Sequence, residues 1–210
     1  MSIRVKTPEA SLSYPALFVA KLMPKQPGAP AGTPDVYKYQ ATLVFDPGTD
    51  LSALEAAAYA VGEEKFGSKF REMKKAKKVK WPFLDGNDGR FLNDDGTAKA
   101  GFGPGKIAIA TNAAEDRKPG VVSRYAGPDG KPLEITNPKE IYPGCRVRAS
   151  LDCFAYDMPT SKGVTFGLNN IQKLGDGKRL DGRVAATDDF EALETEPASM
   201  DDDSLDDILK

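Results

Sequence analysis

From Cys145 to Tyr156 the chain alternates with a strict period of two. Cys145, Val147, Ala149, Leu151 and Cys153 fall on one parity; Arg146, Arg148, Ser150, Asp152, Phe154 and Tyr156 fall on the other. Only a β-strand points successive side chains to opposite faces, so the segment predicts a strand with one face in a core and the other outside it. A strand alone cannot bury its apolar face or pair its backbone, so the rest of the chain must supply a sheet. The outer face combines guanidinium groups with aromatic rings. Single-stranded nucleic acid is held by that pair of chemistries, because every base has a π face to stack and every nucleotide a phosphate to neutralise. Arg146, Arg148, Phe154 and Tyr156 are therefore the first candidates for a binding groove. The competing reading is that both rings pack under a helix or loop laid on the outside of the sheet.

Further strands are predicted at Ala10–Lys21, where Pro15 marks an edge or a bulge, and at Val36–Asp46, Lys106–Asn112, Val121–Tyr125 and Val164–Leu174. The proline-rich run from Pro24 to Pro34 reads as a loop. A helix is predicted from Leu51, capped by Thr49 or Asp50, with Leu51, Leu54, Ala58 and Val61 on one face. A second, basic helical piece continues from Glu63 to about Lys78, where Trp81-Pro82-Phe83 ends it. Several short strands with one helix fit a mainly β chain, an OB-fold-like antiparallel barrel with helical and loop insertions. A β-sandwich satisfies the same pattern. From Ala185 the strand pattern lapses, which divides the chain into a barrel domain at 1–184 and a disordered acidic tail at 185–210.

Histidine is absent and Cys145 and Cys153 are the only cysteines, so neither a structural zinc site of Cys and His nor a histidine general base can be assembled. Eight residues apart on one strand, the thiols stand about 26 Å from each other, too far for a disulfide, and read as buried small hydrophobes. Asp85, Asp88, Asp94 and Asp95 could hold Mg²⁺ as in a nuclease. All four sit in Asp-Gly or Asn-Gly contexts, where a short polar side chain serves a turn. Gly101, Gly103 and Gly105 lack the Lys-Ser/Thr pair and the helix of a phosphate loop. No metal or cofactor is expected. No run of 18 apolar residues exists, and Met1–Lys6 lacks the apolar run of a signal peptide, so a soluble, cytoplasmic chain is expected.

The net charge of −2 conceals a division. Ten acids lie between Ala185 and Lys210, with Lys210 the one base there; the remaining 28 bases and 21 acids leave residues 1–184 at +7. A basic body with an acidic tail suits a nucleic-acid protein that also meets protein partners. The bases concentrate in Lys65, Lys69, Arg71, Lys74, Lys75, Lys77, Lys78 and Lys80, followed at once by Trp81 and Phe83. Lys74, Lys75, Lys77, Lys78 and Trp81 form a second candidate interface, tracking a phosphate backbone and stacking a base at its end. A solvated helix face is the alternative.

The stretch Tyr142-Pro-Gly-Cys-Arg-Val-Arg-Ala-Ser-Leu-Asp-Cys-Phe-Ala-Tyr-Asp157, with Gly167-Leu-Asn-Asn-Ile-Gln172 in the segment that follows, resembles the bacteriophage single-stranded DNA-binding proteins once grouped as a domain of unknown function. The likeness extends more loosely over the first strand and over Trp81 to Gly89. It implies an OB-fold with long insertions that coats and protects single strands with little sequence preference, in phage replication, recombination or repair, within the host cytoplasm if phage-encoded. A binding protein rather than an enzyme is expected; a strand-annealing recombination protein, a Mg²⁺-dependent nuclease and a purely structural virion protein are the alternatives. The terminal stretch also resembles the acidic C-termini of single-strand-binding proteins. In it Asp201, Asp202, Asp203, Leu205, Asp206, Asp207, Ile208 and Leu209 are the candidate partner-binding residues, for replication or recombination proteins. It departs from those termini by ending in Leu209-Lys210.

Overall fold

The computed structural model describes residues 1–25 and 32–182. The centre of the expected Pro24–Pro34 loop and the acidic tail, with its candidate partner residues, lie outside the described residues. The legible strand is β8, Arg146–Met158, and a tight reversal joins it to β9, Ser161–Gly175. On β8 the apolar parity is buried: Val147, Leu151 and Cys153 are fully enclosed. On β9 the alternation of Val164, Phe166 and Leu168 resets to Ile171, because Ser150 faces Asn170 whereas Leu151 faces Leu168. Asn169 is the extra residue of a β-bulge, and the bulge leaves both Asn169 and Asn170 on the outer side.

The remaining strands are β1 (Ser2–Lys6), β2 (Ala10–Leu22), β3 (Tyr37–Phe45), β4 (Leu84–Asp85), β5 (Ile107–Ala114), β6 (Gly120–Ala126) and β7 (Pro132–Glu134). Five strands close a ring: β8 pairs β2, β2 pairs β3, β3 pairs β5, β5 meets β9, and β9 returns to β8. Leu12, Leu17, Leu43, Phe45, Ile109, Leu151, Phe166 and Ile171 fill its interior. Removing each such side chain from water contributes about 1.5–3 kcal/mol, which is what holds the ring shut. The barrel expected from the sequence is thus present, with one correction: it is not wholly antiparallel. Asn112 of β5 and Gly120–Ser123 of β6 both run parallel to β9. A parallel neighbour lies far along the chain, so nothing in local alternation reveals it.

β5 and β6 follow each other along one edge of β9. Asn112 lies opposite Gly167 and Gly120 opposite Asn170, eight residues on one side against three on the other. The surplus is thrown outward as the loop that carries Asp116, Arg117 and Lys118. At Pro15 the expected bulge is found: the register slips between Ser13 and Ala16, and Tyr14 takes a positive φ of 47°. β3 is buried on both faces at Thr42 and Val44, because the insertion 84–105 lays Phe91 and Phe102 over its outside.

Helix α1, Ser52–Phe66, buries Leu54, Ala57, Ala58 and Val61 against the barrel, mainly along β8 and β1. The helix starts one residue later than expected, with Leu51 at its N-cap and no side-chain cap, while Asp50 accepts from the Ser52 amide just before it. The second helical piece is shorter than expected. A 3₁₀ turn at Gly67–Lys69 interrupts it, and α2 covers Phe70–Lys75 before Lys77 closes it in a left-handed conformation. Phe70 is the reason: its ring seats on Gly62, where a Cβ would lie 2.2 Å away, and reaching that seat requires the break. The short strands β1, β4 and β7 were not expected from the sequence. Among the described residues no helix is long and apolar enough to cross a membrane.

Candidate nucleic-acid interface

On the outer face, where β9 passes from β5 to β6, an open cleft of about 730 Å³ lies between β1, β8, β9 and the loop after β5. Phe154 stands in it with its side chain 37% exposed. The ring lies across Gly167, where a Cβ would come within 3.3 Å of Phe154 Cε1, so the glycine of the Gly-Leu-Asn-Asn-Ile-Gln motif makes room for the aromatic platform. Four cations line the cleft, Arg4, Lys38, Arg117 and Lys118, against two acids, Asp116 and Asp152. Arg4 Nε donates to Asp152 Oδ1 at 3.1 Å, and this hydrogen bond holds the Asp152 carboxyl below the usual carboxylate range.

The motif's other residues divide between support and cleft. Asn170 Oδ1 accepts from the Gly120 amide at 3.0 Å, which pins the point where the chain rejoins β9 after its loop. Gln172 accepts from Arg148 Nε at 2.7 Å and donates to the Ser123 carbonyl. Asn169 faces the cleft from its bulge beside Asp152, where its side chain helps Arg4 hold the Asp152 carboxyl low. A smaller groove of about 240 Å³ continues past Asn170, lined by Lys6, Arg148 and Gln172.

The four residues read from β8 share a face, as the alternation required, but not a site. Phe154 belongs to the main cleft and Arg148 to the adjoining groove. Arg146 is spent elsewhere: its guanidinium binds Glu9 at 2.7 Å, Asp46 at 3.1 Å and the Ser11 hydroxyl. Two carboxylates neutralise it, and it lines neither the cleft nor the adjoining groove. Tyr156 is half-buried near the far end of the strand, with its hydroxyl 3.4 Å from Ser161 Oγ.

The second candidate patch is also changed by packing. Trp81 is half-buried in a run of rings, 5.0 Å from Tyr59, 6.2 Å from Phe70 and 5.4 Å from Phe83. Lys74 Nζ sits over Trp81 at 3.8 Å and over Tyr59 at 4.4 Å. The cation and the ring expected to engage a nucleotide therefore engage each other. Lys75, Lys77 and Lys78 are exposed beyond this cluster. The turn aspartates serve their turns: Asp85 accepts from the Asn87 amide, Asp95 from Thr97, and Asp88 from Arg90, whose hydrogen bond lowers the Asp88 carboxyl to about 2. Both cysteines are buried free thiols, and burial pushes Cys153 up to about 12.

Sequence reasoning missed Arg4, Lys38, Arg117 and Lys118. Arg4 had a faint signal in the alternation Ser2-Ile-Arg-Val-Lys6, and Arg117-Lys118-Pro-Gly is a basic turn between two expected strands. Nothing local shows that these segments converge.

The family model described as Enterobacter phage Enc34, ssDNA-binding protein, matches residues 3–205. Among solved structures the chain is similar to a C-terminal truncation of the single-stranded DNA-binding protein from bacteriophage Enc34, with a TM-score of 0.50, 19% identity, and coverage of 84% of this chain and 87% of that one. It is also similar to gp2.5, a single-stranded DNA-binding protein encoded by bacteriophage T7, with a TM-score of 0.51, 15% identity, and coverage of 87% and 97%. At such identities these likenesses speak for the fold alone. No curated protein matches the sequence. With the family model spanning nearly the whole chain, the protein belongs to the Enterobacter phage Enc34 single-stranded DNA-binding protein family.

Proposed function

We propose that this chain holds single-stranded DNA in the cleft of Phe154, and that it coats and protects single strands largely without sequence preference in phage DNA replication, recombination or repair. The observation that carries the reading is an exposed aromatic face set among Arg4, Lys38, Arg117 and Lys118. A base stacks on the ring while the cations meet its phosphates, and phosphate contacts carry no sequence information. Arg148 and Lys6 extend the path into the adjoining groove, and the exposed Lys75, Lys77 and Lys78 contribute long-range attraction. The role is binding and not catalysis: three of the four aspartates that the sequence offers for Mg²⁺, Asp85, Asp88 and Asp95, accept from turn amides.

The barrel at 1–184 is the binding unit, and residues 185–210 form an acidic tail that recruits replication or recombination proteins. Truncation after Val184 is then expected to leave a cooperative fold and to tighten DNA binding at low salt, because ten acids on a tether compete with phosphates for the same cations.

The experiment for the binding reading is a titration of labelled single-stranded and double-stranded oligonucleotides at several salt concentrations. Single strands are expected to bind more tightly, with a log–log salt slope of about −0.7 per phosphate contacted. Equal affinity for duplex, or a flat salt dependence, would contradict it.

A further inference from the structure

An acid is out of place on the floor of a cleft that takes a polyanion, yet Asp152 stands there two residues from Phe154 on the same face of β8. Its side chain is 31% exposed, so the cleft reaches it. Arg4 occupies part of its acceptor capacity through Nε and Nη2. A carboxylate offers about four acceptor sites, so capacity remains toward the cleft. Beside it, the Asn169 side chain lies against the same carboxylate and helps Arg4 hold it low, so it takes a further part of that capacity.

The Asp152 carboxylate opposes the approach of phosphate to the floor and favours there a base edge that donates a hydrogen bond. Same-face neighbours two residues apart on a strand are separated by about 6.6 Å. That spacing is of the order needed to bring the exocyclic amino group of a pyrimidine stacked on Phe154 to the carboxylate of Asp152. Cytosine presents such an amino group, and carboxylates accept from it. Thymine presents a single ring N–H flanked by two carbonyl oxygens that face, and repel, the carboxylate.

We propose that Asp152 is a base-selecting residue, accepting a hydrogen bond from the amino group of a base stacked on Phe154, so that the cleft favours cytosine over thymine. The proposal rests on the reading of this cleft as the single-strand site. It adds a modest base preference to binding that is otherwise set by phosphates and stacking.

The test compares oligo-dC and oligo-dT of equal length, at one salt concentration and mildly alkaline pH, against the full chain and Asp152→Ala. Removing the acceptor is expected to lower the dC-over-dT affinity ratio by about threefold to tenfold, near the low end of what a bidentate base contact supplies because a single hydrogen bond is made. Asp152→Asn, which keeps the shape and one acceptor oxygen, falls between, and the melting temperature of both variants verifies their fold. An unchanged ratio with both affinities raised equally would overturn the proposal and make Asp152 a competitor of phosphate for Arg4. An unchanged ratio with both affinities lowered would also overturn it, leaving Asp152 only to position Arg4. Failure of the unaltered chain to bind either oligonucleotide would instead sink the reading of the cleft itself.

Discussion

Two regions of this molecule gather cations and aromatic rings, and they use them in opposite ways. Around α1 and α2 the charges are more numerous, but Lys74 lies on Trp81 and Tyr59, Arg71 pairs with Glu63, and the rings lock against Phe70 and Phe83. In the outer cleft there are fewer charges, and Phe154 keeps a free face. Composition alone does not distinguish the two. What separates a binding surface from packing material is whether the ring face and the cation are already satisfied by the protein.

The sharpest way to break the comparison is to delete one ring from each region. Trp81→Ala is expected to cost stability toward the lower end of about 3–5 kcal/mol, because the indole is half-buried and supports α1 and α2. The affinity of the molecules that remain folded should be nearly unchanged. Thermal or denaturant unfolding reads the first effect and an oligonucleotide titration the second; a large affinity loss at unchanged stability would reverse the two regions. Phe154→Ala is expected to show the opposite pattern, with about 1–3 kcal/mol lost in single-strand binding and little change in melting temperature.

The charges give a smaller contrast. Replacing Arg117 and Lys118 by alanine should reduce the salt slope by about 0.7 for each phosphate no longer neutralised, whereas replacing Lys77 and Lys78 should lower affinity less and change the slope less. Equal slopes for the two double variants would erase the distinction between cleft and patch. The smallest effect concerns Arg146. Arg146→Ala leaves Glu9 without its partner and Asp46 with Lys106 alone, and since these carboxylates are half-exposed the cost is expected to be about 1 kcal/mol or less of stability. Loss of DNA affinity beyond that of Arg148→Ala would return Arg146 to the groove.

Much of the fold was legible because it is written in local periodicity. β8 declared itself through unbroken alternation, α1 through the spacing of Leu54, Ala58 and Val61, and the β2 bulge through Pro15. The parallel pairings of β9 and the loop thrown out between β5 and β6 were not legible, since they depend on which distant strands share an edge. The same limit governs the site. Phe154 could be found from its own strand, but Arg4, Lys38, Arg117 and Lys118 come from three other segments that only the closed ring brings together. The ion pairs of Arg146 were hidden for the converse reason: Glu9 and Asp46, which neutralise it, lie far away in sequence. The tandem asparagines were conspicuous as a motif, yet the bulge that turns both outward appears only in the register with β8.

The most direct test of the cleft as the single-strand site is photo-crosslinking of a bromouracil-substituted single strand to the full chain, with the attached peptide identified by mass spectrometry. Crosslinks are expected on the β8 segment that carries Phe154, and they should disappear in Phe154→Ala. Crosslinks confined to the peptides of residues 70–81, and unaffected by that substitution, would contradict the assignment of the cleft.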